Sequence, residues 1–419
     1  VLGHRWAPWA LGLGLSLLAA IQALHRARQG RVALLKWEPD FIAFWSNAPL
    51  YGRGTEGYPT LPLSLLVMSP FRALGEIPGA CAWALFKIGL AWWIVTRALK
   101  LASEAERPLT SVAQVAVILF AFRPLASDIQ HGNLNLLVGA AVASAAWAWH
   151  RGRPLGAGFW LGMGAVLKVT PALGLLFFAW KRSGRGLAGM GLGAIVGLFL
   201  PALWIGWERN LELDLSWWDQ MIAPYLSGRE LTLLQTEHIN QSLFGVLARL
   251  TSDSVAIPAA TTGTGDLAVN LFSLSVPVFR TLHLAISIAT LAFLLACLAP
   301  RTDRRGPVIL AEFSLLALAM LQLSERSWKH HYVLIAFPIA FLISQLGSGR
   351  TLSARIALAG LVLSTLLIGG TGSAFLGDHG SNLAEAYGSF LVGGLALYVA
   401  TGVLLRRWVR DRPLGPDST

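Results

Sequence analysis

The sequence predicts an all-α polytopic membrane protein of about twelve transmembrane segments, and three observations predict it. Hydrophobic residues make up 55% of the 419 and charged residues only 13%. The apolar residues fall in repeated blocks of roughly 15 to 25, the length a helix needs to cross a bilayer. Short clusters of Lys and Arg separate many of these blocks. Helices are expected because a chain in lipid must satisfy its backbone polar groups internally.

The expected spans are 6–24, 79–97, 108–122, 134–149, 155–180, 187–207, 278–300, 308–324, 332–347, 354–370 and 389–405. The first has no small-residue cleavage pattern behind it and reads as a retained anchor, not a signal peptide. The stretch 61–78 is apolar but interrupted by Pro62, Pro70 and Arg72, which predicts a dipping or interfacial segment. Span 155–180 must divide. Both its flanks are basic, at Arg151/Arg153 and Lys181/Arg182, and the positive-inside rule places such clusters in the cytoplasm. Two short helices, one reaching about Lys168 and one returning from about Pro171, keep both flanks inside and bring the count to twelve, with cytoplasmic termini. In the next span, Gly189, Gly193 and Gly197 read as a GxxxG-type packing face.

The same rule collects Arg97/Lys100/Arg107, Arg301/Arg304/Arg305, Arg350/Arg355 and Arg406/Arg407/Arg410/Arg412 on the inner face. These clusters account for the formal charge of +11 without any long basic tract, so no nucleic-acid partner is expected. Cys81 and Cys297 are too few for a thiolate metal cluster and fall toward opposite ends of their spans, so no disulfide is expected. One integral-membrane domain is expected over 1–419, with a first external loop at 36–78, a long external loop at 208–277 and a cytoplasmic tail at 406–419.

With this topology, the polar residues that are not topogenic gather on the external side. They lie in Lys36–Pro59, in Phe122–Asn135, at Lys168, in Gln235–Ser242 and in Ser324–Tyr332. Loops between spans are polar in any membrane protein, so the residue types carry more weight. Arg123, His131, Lys168, Lys329, His330 and His331 make the outer face cationic, although the outer face is normally the poorer in positive charge. A basic outer pocket suits an anionic group presented from lipid, such as a phosphate.

Five segments, "DFIAFWSNAPLYGRGTEGYPTLPLSLLVMSP", "QHGNLNLLV", "GAGFWLGMGAVLKVTPAL", "NQSLFGVLARL" and "SWKHHYVLIAFP", in this order and spacing, resemble glycosyltransferase family 87. The resemblance implies a GT-C fold and an enzyme that moves a sugar, mannose in this family, from a polyprenyl-phosphate donor to a glycolipid or glycan acceptor. It implies work at the outer face of a bacterial cytoplasmic membrane, no divalent metal or other cofactor, and a catalytic aspartate at Asp40.

Asp40 then has two readings, a general base that takes the acceptor hydroxyl's proton or a cap on the helix that follows, and the resemblance favours the base. Glu38 with Asp40 forms an E-x-D pair that hard cations accept, but Pro39 limits how the two carboxylates converge. For the donor phosphate the candidates are Lys168, His330, His331 and Arg123. Lys168 and Arg123 equally fit snorkelling to the headgroups, and Trp328 with its histidines fits an aromatic belt. For sugar or acceptor contacts the candidates are Asn133, Asn135, His131, Asn240, Gln241, Trp328 and Tyr58, with Trp217, Trp218 and Tyr225 as further stacking surfaces. Asn133 and Asn135 equally fit helix capping. A transporter would place polar groups near the midplane of several spans and repeat its halves. A non-catalytic lipid-binding scaffold would tolerate loss of Asp40, and a lipid-linked oligosaccharide ligase is the nearest enzymatic alternative.

Overall fold

The computed structural model describes residues 4–51, 58–103, 108–226, 233–263, 265–299, 303–347 and 351–411. Arg107, Arg301, Arg350 and Arg412 of the basic clusters, residues 412–419 of the tail and the Tyr225 side chain lie outside the described residues. Among those described there is no strand, only an isolated bridge between Ile257 and Leu267.

Eight helical stretches are long and apolar enough to cross a membrane: Ala7–Trp45, Glu76–Ala102, Ser111–His131, Gly184–Ile205, Val276–Cys297, Gly306–Leu323, Thr351–Gly369 and Ser389–Asp411. This is an integral membrane protein. Its outward apolar side chains, such as Leu13, Leu17 and Ile21 on the first helix and Leu284 and Ile288 on Val276–Cys297, suit lipid in place of water. Among the shorter apolar helices, Pro154–Leu167, Thr170–Trp180 and Ala336–Leu346 fall on expected spans, and Leu63–Arg72 falls on the stretch expected to dip or lie at the interface. The expected span 332–347 is a 3-10 segment, Lys329–Leu334, followed by that last helix. Cys81 and Cys297 are free thiols.

The chain divides into two compact units, one of Arg5–Arg97 with Leu125–Glu230 and the other of Val1–His4, Ala98–Pro124 and Leu231–Thr419. In the first, 155–180 breaks as its proline and basic flanks predict. Helix Pro154–Leu167 stops where Lys168 becomes extended (φ −160°, ψ 125°), a 3-10 turn carries Pro171, and helix Gly174–Trp180 follows. Pro171 lies against Gly164 and Gly174 against Leu161, so the second helix returns along the first. At the open end of this hairpin Trp149 meets Phe177 and Phe178, with centroids 5.5 and 5.6 Å apart.

Helix Gly184–Phe199 packs on this hairpin through glycines of both partners. A Cβ on Gly158 would overlap the backbone of Gly186, and one on Gly162 the backbone of Met190. In return Gly189 and Gly193 abut the backbones of Leu155 and Phe159. The expected face is thus reciprocal, small residue against backbone, which is how helices gain close dispersion contact in lipid. Gly197 differs in receiving the branched side chain of Val166. Arg97 lies over the Trp93 and Trp147 rings at 3.9 and 4.4 Å, a cation–π anchor of the kind found at membrane boundaries.

In the second unit Gly306–Leu323 is the central helix, buried along most of its length. Helices Thr351–Ser364 and Ser389–Asp411 meet where Gly360 faces Ala400, and Gly394 receives the Tyr332 ring. A fully buried Arg249 ties the intervening loops together by donating to the carbonyl oxygens of Thr236, Glu237, Asn240, Glu385 and Ala386. Five carbonyl partners satisfy a guanidinium whose burial would otherwise be costly.

Candidate active site

In the first unit, Asp40 lies in the first turn of helix Glu38–Trp45, with Pro39 where a missing N–H costs nothing. Trp37 occupies the capping position and makes no side-chain cap bond, so the cap reading of Asp40 does not hold. Asp40 is 6% exposed, on the helix that contributes Phe41 and Phe44 to an apolar cluster with Tyr51 and Tyr58, and both phenols lie near enough to feel its charge. The amino end of a helix favours negative charge there. Glu38, the other carboxylate of the E-x-D pair, is paired with Arg72. No cluster of three metal-ligating side chains occurs among the described residues.

Tyr58, a candidate sugar contact, is buried. Its hydroxyl pairs with that of Ser64 and its ring meets Trp37 edge-on at 5.1 Å, which makes it part of that cluster and leaves no face for a sugar. Tyr51 donates to the Thr60 carbonyl at 2.8 Å, and Trp217 donates to the Pro59 carbonyl at 3.1 Å. Burial first, then Tyr58, Asp214 and Asp40 nearby, holds the Tyr51 phenol above its ordinary value. Asp214 is therefore a second carboxylate near Tyr51. It accepts from Asn210 at 2.9 Å through one oxygen, and burial pushes its carboxyl up to about 7 against that bond.

A chain of polar groups links Lys87 to Lys168 within this unit. Asp128 accepts from Lys87 at 2.9 Å, from the Leu136 amide at 3.1 Å and from the Asn135 amide at 2.9 Å. The other end of the Asn135 side chain accepts from Lys168 at 3.0 Å. Asn135 is thus neither a helix cap nor a free sugar ligand, since Leu134 holds the cap position and both ends of the amide are engaged. Asn133 is half-buried in the preceding turn. His131 contacts the Ser127 carbonyl through Nδ1 at 2.7 Å and Arg26 through Nε2 at 3.3 Å, which fits a neutral ring protonated on Nδ1. Leu137 and Trp217 pack against both the apolar cluster that contains Phe41 and Phe44 and the one that contains Leu167.

In the second unit, Arg123 and Lys329 converge on Glu385, which is 2% exposed, at 3.8 and 3.3 Å. Arg123 also donates to the Ile368 carbonyl. Trp328, His330 and His331 form one aromatic group, with Trp328 stacked on His331 at 5.9 Å and edge-on to His330 at 5.3 Å. His331 accepts the Trp328 amide through Nδ1, closing the turn, while the Trp328 indole N–H is buried without a partner. Asn240 and Gln241 do not present themselves to a sugar. Asn240 donates to the Gln235 and Glu325 carbonyls and accepts from the Ser242 and Ser327 amides, which fills its capacity. Gln241 donates to the carbonyls of His238 and Glu385 and accepts from the Phe390 amide. Both are buried braces between loops.

Lys87, Asp128, Asp214 and Glu385 are the side chains that the sequence reading passes over. Lys87 carried a signal, a cation in the middle of the apolar run 79–97. The three acids sit in ordinary polar stretches, and only their partners mark them.

The sequence profile of Glycosyltransferase family 87 matches residues 58–324, more than half of the chain. The chain belongs to glycosyltransferase family 87. This member is 27% identical over 351 residues to the polyprenol-phosphate-mannose-dependent alpha-(1-2)-phosphatidylinositol mannoside mannosyltransferase of Mycobacterium tuberculosis, covering 77% of the family 87 chain described here and 72% of that relative. Among solved structures, ArnT from Cupriavidus metallidurans bound to undecaprenyl phosphate aligns with 99% of this chain and 82% of its own, at 13% identity and a TM-score of 0.43. As a family 87 protein the chain is a glycosyltransferase, and the transporter and scaffold readings fall away.

Proposed function

We propose that this enzyme transfers mannose from a polyprenyl-phosphate donor to a hydroxyl of a glycolipid or glycan at the outer face of the cytoplasmic membrane, with Asp40 as general base and no metal ion. The donor follows the name of the mycobacterial relative, and the observation that carries the chemistry is the buried Asp40 carboxylate at the head of its helix. The profile match begins at Tyr58, so Asp40 rests on this geometry and on the loop resemblance. In the reaction the acceptor oxygen attacks the anomeric carbon, the bond from that carbon to the phosphate oxygen breaks, Asp40 takes the hydroxyl proton, and polyprenyl phosphate leaves. The leaving group is already stabilised as an anion, so a partnering acid is not required.

Lys168, held by the Asn135 side chain, is the phosphate ligand proposed in the first unit. Arg123, His330 and His331 keep the donor role that their charge and polarity suit, each tested by its own substitution. The test is a transfer assay with membranes containing the protein, radiolabelled polyprenyl-phosphate mannose and extracted lipids, glycolipids of the phosphatidylinositol mannoside kind first. A new mannolipid is expected. Transfer of a preassembled oligosaccharide, with none from the monosaccharide donor, would favour the ligase reading.

A further inference from the structure

A lysine that binds phosphate in an apolar setting must keep its charge available, and a nearby carboxylate would cancel it. Lys168 is not paired with an acid among the described residues. It donates to a neutral amide oxygen, that of Asn135, and Asp128 stands one side chain further back. Asp128 is fully buried and its charge is met by Lys87, which is 1% exposed and donates both to its carboxylate and to its backbone carbonyl. With both lysines protonated, two ammonium groups and one carboxylate leave one positive charge in excess, at the Lys168 end of the relay.

We propose that Lys87, Asp128 and Asn135 are positioning residues that fix Lys168 and keep its charge free for the donor phosphate. Asp128 orients the Asn135 amide by accepting its N–H, which turns the oxygen toward Lys168. Lys87 cancels the charge that Asp128 would otherwise set against Lys168. The inference rests on the reading of Lys168 as a phosphate ligand.

The test follows donor KM and kcat in detergent-purified enzyme, with the folded state checked by size exclusion and thermal unfolding. Lys168→Met should raise donor KM by about tenfold or more, the scale of one charge-assisted contact to phosphate. Lys87→Met leaves the relay with no net charge and should raise donor KM by a similar factor while kcat at saturating donor changes little. The double substitution Lys87→Met with Asp128→Asn restores one excess positive charge and should recover most of that loss. A merely structural role predicts the reverse, since two buried substitutions disturb packing more than one. Asn135→Asp keeps size but places a carboxylate on Lys168, and should also raise donor KM; it decides the matter if Lys87→Met fails to fold. If Lys168→Met raises KM but Asn135→Asp and the Lys87 pair follow no charge balance, the relay is overturned and the phosphate reading stands. If Lys168→Met leaves KM unchanged, the phosphate reading falls and the relay with it.

Discussion

An acceptor hydroxyl ionises far above neutral pH, so it attacks a glycosyl carbon only as its proton leaves, and Asp40 is the carboxylate assigned to take that proton. Asp40→Asn keeps the size and the first-turn position but removes the base, so transfer should fall by about 10² to 10⁴ while donor binding persists; near-normal turnover would refute the role. Asp214 yields a separate prediction about stability. Burial raises its carboxyl to about 7, so the folded chain holds a proton there that the unfolded chain releases near pH 4. The folded state therefore loses stability as pH rises from about 4 to about 7 and loses no more above that, an effect made shallow by partial exposure. Relative to Asp214→Asn, the thermal midpoint of the parent enzyme should fall across that interval and then run level, and parallel curves would show that the group does not titrate there. The sequence marks Asp40 by its place just after the first apolar run, and the structure sets it in the first turn of a short helix. Asn240 and Gln241 are held by partners that lie far along the chain, the backbones of Glu325, Ser327, Glu385 and Phe390. No local pattern tells a brace from a sugar ligand. Lys87 was visible as a charge within a span, but Asp128 gains its meaning only once the fold sets it beside that lysine.

The hairpin 154–180 is the element whose reading went furthest, because composition and topology agreed on it. Basic flanks at both ends demanded a return, and Pro171 gave the place. What the sequence could not show is the partner of the glycine face, which is itself glycine-bearing, Gly158 and Gly162 on the first helix of the hairpin. Gly193 faces the backbone of Phe159, where no rotamer change can make room, whereas Gly191 on the same helix faces open space. Gly193→Leu should therefore pry the helix from the hairpin and cost upward of about 2 kcal/mol, while Gly191→Leu stays nearly neutral. Thermal unfolding in detergent compares them directly, and equal midpoints would show that the close approach is not needed. The hairpin also carries Lys168 at its tip, so loosening it should raise donor KM before it abolishes activity. Helix lengths were less legible than helix positions. The expected span 332–347 begins inside a 3-10 turn, Lys329–Leu334, that holds His330 and His331, a local winding that apolar content does not encode.

At the scale of the whole molecule, the source of the sugar decides how a membrane enzyme of this kind can work. Nucleotide sugars are made in the cytoplasm, and their transferases commonly hold the pyrophosphate with a metal on clustered carboxylates or on a glycine-rich loop at a helix start. Here Glu38 is paired with Arg72, Asp128 with Lys87 and Glu385 with Arg123 and Lys329, so three of the acids near the candidate residues are matched to cations of the chain. A lipid-carried donor asks for something else, a cation or an N–H for one phosphate and apolar helices for a long chain, and this protein offers both. Purified enzyme should therefore use polyprenyl-phosphate mannose, should give no product from GDP-mannose when polyprenyl-phosphate-mannose synthase is absent, and should keep its rate in EDTA. Direct use of GDP-mannose would remove the basis for a lipid donor. Loss of transfer in EDTA with recovery in Mn²⁺ would mean that Glu38 leaves Arg72 to join Asp40 on a metal, and exchanging Arg72 for Met should then raise metal affinity.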